Sequence, residues 1–465
     1  MVVLLSLLLL SPRIAAFPVN TTIAELQQSR VDLVAEAAAN HLQSRSIWDI
    51  LWSCLATIFV CSWVSVHPNI PPVEEGFWKV FLRRLELMMW SIVAPTMMIL
   101  WAARQWIAAK TLTKMYQDRF PNSGWTKTHS YFIQMGGFVL YDGARPLEVI
   151  LDPDKMDILL RKGLIKFPDT TEEEITDRTR GDGLSKALVI CQTVWFGIQC
   201  LGRKIEGLPI TQLELVTAGL AFLNGTMYFL WWKKPLGVRL PIPVYTLRHV
   251  ENKEGLFEND AHFSEKGVED IGKFFTRIFL HLDKQPSIKV GNSTEPIDIR
   301  GTIFQGSILT PIFQRVKQMV DSNKPGDTFY AYTQFGQENR VAIFTDVIGL
   351  TFGAIHCAGW NFMFPTHAEL MIWRASSSIV IGIPMLMMLI SLMVRTLRRR
   401  SCLPQKPSSA KLSIIPQVIR VLMFILIPAY LLTRLALVIE AFVTLRKLPP
   451  GAYEEVAWLS FFPHI

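Results

Sequence analysis

The run 375–394 contains twenty consecutive uncharged residues, and that feature limits the chain more than any other. A helix rises about 1.5 Å per residue, so twenty residues match the roughly 30 Å of a bilayer's hydrocarbon. Lipid offers no partner for a backbone N–H or C=O, which leaves helices and closed barrels as the only spanning forms. Six further stretches, each interrupted by one or more charged residues, qualify or nearly do: 47–66, 85–106, 184–202, 212–232, 341–360 and 415–442. Pro95, Pro384 and Pro428 fall inside three of the seven. Membrane helices tolerate such residues, and a kink is expected at Pro384. The predicted fold class is all-α: a polytopic helical membrane bundle with seven clear spans.

Composition agrees. Only 18% of the residues are charged, against about 25% in soluble domains, and long uncharged blocks alternate with ordinary polar ones. The net charge of +8 would also suit nucleic acid. The basic residues sit mainly beside apolar spans, however, where the positive-inside bias and anionic lipid account for them. Six scattered cysteines with no CxxC pair argue against a disulfide scaffold.

Residues 1–16 read as a secretory signal, too short to span. Residues 17–46 then form a lumenal arm with a sequon at Asn20, and Asn292 heads a second sequon. A long loop is expected at 107–183 and a polar insert at 233–340, long enough to be a small folded domain, with a tail at 443–465. Topology holds a conflict. A lumenal residue 17 followed by seven crossings puts Lys233, Lys234 and Arg398 to Arg400 in the lumen, against their charge. One extra crossing before residue 184 removes the conflict, and the short apolar string 131–141 is the expected place, as a marginal or re-entrant segment.

Several positions would suit chemistry. His356 lies in the fifth span with Gly349, Gly353 and Cys357. The plainer account is a tight helix contact with His356 hydrogen-bonded to a neighbour; the sharper one makes it a general base in a buried cavity. His367 and Glu369 join it as catalytic candidates at the membrane surface, although Thr366 and Glu369 also match a helix-capping box. Arg374, Asp182, Lys186 and His67 are the candidates for binding substrate. Against them stand headgroup snorkelling for Arg374, helix capping for Asp182 and a stiff turn for His67. The methionines at 385, 387, 388 and 393 read as packing rather than copper ligands, and no metal site is expected. No P-loop, HExxH, Ser-His-Asp or dinucleotide signature occurs.

Certain strings stand out together. They include 54–61 leading into Trp63 and His67-Pro68-Asn69, then 181–186, 192–196, 207–211, Trp231-Trp232-Lys233-Lys234-Pro235-Leu236, Ile355-His356-Cys357 and Trp373-Arg374. The set resembles a largely uncharacterised family of fungal multi-pass transmembrane proteins, some lying near genes for natural-product biosynthesis. The resemblance implies an endomembrane address, such as the endoplasmic reticulum, and no catalytic residue. The expected function is an enzyme or enzyme accessory acting on an apolar intermediate of fungal secondary metabolism, or else a transporter or a non-catalytic scaffold. Expected partners are membrane lipids, an apolar small molecule and membrane-bound pathway enzymes, with no nucleic acid. Sequence identifies no cofactor.

Overall fold

A computed structural model describes residues 45–72, 75–143, 145–179, 182–247, 315–316, 318–319, 325–332, 338–401 and 410–456. The expected signal, most of the expected arm, both expected glycosylation sites (Asn20 and Asn292) and the bulk of the insert lie outside the described residues. The architecture is all-α in its bulk. Five helices are long and apolar enough to cross a membrane: α1 (Ile47–Ser65), α8 (Gln212–Leu230), α9 (Glu338–Cys357), α10 (His367–Ser401) and α11 (Ala410–Val443). That is fewer than the seven expected, and two differences account for the shortfall.

The first concerns the stretch 85–106. It is not one helix but parts of two, α2 (Phe77–Val93) and α3 (Pro95–Arg119), which meet at 111°. Pro95 has no N–H to continue the ladder, and Ala94 leaves helical geometry at φ −127° and ψ 56°. The second is α7 (Asp182–Ile205), whose apolar run is thinned by Lys186, Gln192 and Gln199. It packs beside α1 and falls outside the five.

The helices have a centre. In α8, 72% of the apolar window is buried, against 22–33% for the other four; the rest keep broad apolar faces on the outside, as lipid-solvated helices do. Gly353 lets α9 and α10 approach until a Cβ there would stand 2.6 Å from Ile381 Cα. The Gly349/Gly353 pair read from sequence is thus a helix–helix contact.

At one end, here the Arg45 face, α1, α8 and the C-terminal segment are joined. The Arg45 guanidinium pairs with Glu214 and its Nε–H donates to Ala452 O at 2.6 Å. Glu214 also completes a capping box with Thr211 at the start of α8. Arg203 donates to the carbonyls of Pro209, Gly451 and Glu454.

The opposite end, the Lys234 face, carries a second hydrophobic core built on Leu112, Tyr116, Trp125, Phe132, Phe138 and Leu159. The stretch 107–183, expected as a loop, there folds into α4 (Lys127–Gln134), strands β1 (Phe138–Asp142) and β2 (Arg145–Ile150), α5 (Pro153–Arg161) and α6 (Glu172–Asp177). Strand β3 (Ile242–Tyr245), from the start of the polar insert, pairs in parallel with β1, giving the order β2-β1-β3. The string 131–141 is therefore no membrane crossing. It is the end of α4, a turn with Gly136 at φ 82°, and a central strand. An open three-stranded sheet has edges that lipid could not satisfy, and the string is apolar because it fills this second core.

Candidate functional site

Two buried clusters organise the polar groups. The first lies among the spans. His356 and Arg434 are both fully buried. His356 Nδ1 is 2.9 Å from Phe352 O, so it carries the proton, and Nε2 accepts from Arg434 Nη1 at 3.1 Å. The guanidinium lies 4.4 Å over the Phe352 ring. Its Nη2 reaches Ile92 O at 3.5 Å, in the last turn of α2. A cation at the carbonyl end of a helix is well placed, so Arg434 helps to hold the elbow between α2 and α3. Thr96, just past the elbow, donates to Tyr430 OH at 3.3 Å. Around this pair, Arg434 Nε, Trp373 Nε1 and Ser377 Oγ are buried without a partner. Opposite, a Cβ on Gly219 would stand 3.0 Å from His356 Cε1.

The second cluster sits on the Lys234 face. The Lys234 ammonium donates to His67 O, to Asn69 Oδ1 at 3.1 Å and to Gln105 Oε1 at 2.8 Å. The indoles of Trp101 and Trp231 each lie 4.7 Å from it. Burial works to lower its proton affinity, while three acceptors and two ring faces hold the proton in place. Gln105 Nε2 and Asn69 Nδ2 continue the network to Tyr330 O, and Trp101 Nε1 donates there as well. One knot thus fastens the exit of α1, the middle of α3, the end of α8 and residues 327–330. Because Gln105 is in this knot, α3 returns to the face from which α2 set out: Arg84 in α2 donates to Trp63 O near the end of α1.

The sequence-derived candidates do not meet. His356 is among the spans with both ring nitrogens engaged. Glu369 is 8% exposed at the Arg45 face, where its carboxylate takes Arg446 and Thr366 Oγ1 caps its N–H; the other half of the expected capping box is absent. His367 is exposed at the head of α10. Arg374 is half-buried, donates to Trp360 O at 3.1 Å and stacks on that indole at 5.2 Å. At the opposite face, Asp182 opens α7, and Lys186 lies over Trp232 and donates to its carbonyl. His67 is enclosed there between Tyr228 and Trp231. His67 and Lys186 are brought together, close enough for the lysine's charge to disfavour a protonated imidazole.

A notch of about 250 Å³ at the Arg45 face, lined by Leu208, Thr211, Gln212, Asn361 and Met363, contains none of the seven. No group of three or more metal-ligating side chains occurs among the described residues. Sequence reasoning missed Arg434, Arg84 and Gln105. Arg434 left a signal, a guanidinium well inside a predominantly apolar span.

The chain belongs to a protein family of unknown function (DUF8562), whose model matches residues 23–255 and 337–465. No curated protein and no solved structure shows significant similarity to it.

Proposed function

We propose that this multi-pass membrane protein is a non-catalytic platform of the secretory pathway, holding a folded layer against the cytosolic surface of its membrane for membrane-bound or soluble pathway partners. The observation that carries this reading is the scatter of the chemically capable side chains. His356, Glu369 and Arg374 are each tied into the fold, at separate places, while the Lys234 knot fixes the non-membrane layer rigidly to the bundle.

The topology that supports it counts α7 as a sixth crossing and treats the α2–α3 elbow as re-entrant, entering and leaving at the Lys234 face. The parity conflict then disappears without an extra crossing. Lys233, Lys234 and the arginines at 398–400 share one face, which the positive-inside bias makes cytosolic. The Arg45 face, with the segment preceding α1, becomes lumenal, and Asn292 falls on the cytosolic side. Acceptor sequons inserted near residues 208 and 364 should be glycosylated in microsomes, and sequons near 247 and 405 should not. Modification at 247 or 405 would sink the topology.

A second reading, an enzyme or accessory acting on an apolar intermediate in fungal endomembranes, draws on the unpartnered polar atoms around His356. The two readings separate on His356→Gln in cells. The platform reading expects pathway output to follow protein level alone, with the output per molecule unchanged. A correctly folded, normally abundant variant with no output would favour chemistry.

A further inference from the structure

Beside the Lys234 knot, at the edge of the bundle, two cations sit in a repeated arrangement. Arg84 lies 4.6 Å over the Trp63 ring and donates to the carbonyl of that same tryptophan. Lys186 lies 5.2 Å over Trp232 and donates to Trp232 O. The neighbouring Arg83 and Glu86 are paired, with Glu75 and Arg315 respectively. Among the described residues no carboxylate pairs with Arg84, whose Nε–H is buried without a partner. Within the field of both cations, His67, 1% exposed, donates through Nδ1 to Ser65 O and leaves Nε2 as a buried acceptor with nothing donating to it. Burial first, and then the charges of Lys234, Lys186 and Arg84, lower its pKa to about 3, so the ring is a neutral acceptor.

The surroundings identify what these two cations would meet. Phe59, Phe77, Trp78, Leu82, Leu188 and Val194 are all more than half exposed or nearly so, a wall on α1, α2 and α7 suited to acyl chains. Aromatic rings next to cations mark the depth of headgroups, and basic recesses between helices are where anionic lipid phosphates are held. We propose that Arg84 and Lys186 seat the phosphate of an anionic glycerophospholipid. The site rests on the membrane placement of the Lys234 face; the sidedness argued above decides only which leaflet supplies the lipid.

The test uses full-length protein in nanodiscs containing phosphatidylcholine with a minor fraction of phosphatidylserine or phosphatidylinositol, the tightly held lipid being read by native mass spectrometry. Wild type should retain the anionic lipids over phosphatidylcholine. Arg84→Gln should cut that retention about tenfold, and Arg83→Gln should leave it unchanged. Should Arg84→Gln fail to fold, Lys186→Gln, at the more accessible edge, carries the same expectation. Equal retention by both variants, no preference over phosphatidylcholine, or displacement of the lipid by soluble glycerol 3-phosphate would each overturn the proposal. Glycosylation mapping reads sidedness independently, so a failure there leaves this result standing.

Discussion

Two fully buried cations in this protein are treated in opposite ways. Lys234 is surrounded by three oxygen acceptors and two indole faces. Arg434 has one imidazole nitrogen, one distant carbonyl, the single ring face of Phe352 and an Nε–H with no partner. A buried charge that is fully coordinated becomes part of the frame, because removing it strands every acceptor around it. One that is under-coordinated costs desolvation that its contacts only partly return. The first joins the membrane bundle to the layer outside it, and the second sits at an elbow that the bundle has to keep bent.

The contrast is sharpest in substitution. Lys234→Met leaves Asn69 Oδ1, Gln105 Oε1 and His67 O without their shared donor, and should cost about 3 to 5 kcal/mol, read as a large drop in unfolding temperature in detergent. A variant within about 1 kcal/mol of wild type would show that the knot is not what fixes the outer layer. Gly353→Val comes next, at about 2 to 3 kcal/mol, since its side chain would displace the Ile381 backbone. Arg434→Met should cost no more than about 1 kcal/mol, mainly the acceptor left on His356, and Arg434→Met with His356→Phe should recover part of that loss. If Arg434→Met proved as damaging as Lys234→Met, the under-coordinated reading of Arg434 would be wrong.

The remaining effect is read as a slope in pH. The folded-state pKa of His67 lies near 3, lowered chiefly by burial and then by the neighbouring cations, below the ordinary value near 6.5. The unfolded chain therefore binds the proton more readily. The contribution of His67 is intact above about pH 6.5 and declines between there and pH 3, by up to about 1.4 kcal/mol per unit. His67→Gln should flatten that part of the pH–stability curve. An unchanged slope would assign it to other groups.

Much of this fold could be read from residue order, and the reasons for the exceptions are specific. Helices α1, α8, α9, α10 and α11 were evident because a bilayer-spanning run needs nothing beyond its own length and lack of charge. The α2–α3 elbow was hidden, since Pro95 in an apolar run permits a mild kink or a reversal. What decides between them is distant: Arg434 and Tyr430 at the bend, Asn69 and Lys234 at the return. The string 131–141 was misleading for a related reason, as a central strand over a soluble core is as apolar as a short crossing. Among site residues, His356 was noticed as a titratable group within a span and Arg434 was passed over, although the two act as one unit. Arg84 and Gln105 gave no local sign, because their importance lies wholly in what stands next to them.

The elbow also sets an order of events during synthesis. Ile92, whose carbonyl meets Arg434, is 342 residues ahead of it in the chain. At roughly 5 to 20 residues per second, a ribosome needs about 20 to 70 s to supply that distant arginine. Until then the hairpin must wait, its tip lacking both the guanidinium and the Tyr430 hydroxyl that later hold it. An insertion chaperone able to shelter a half-buried bend would find its client in that interval, and a chain truncated before α11 would keep it there.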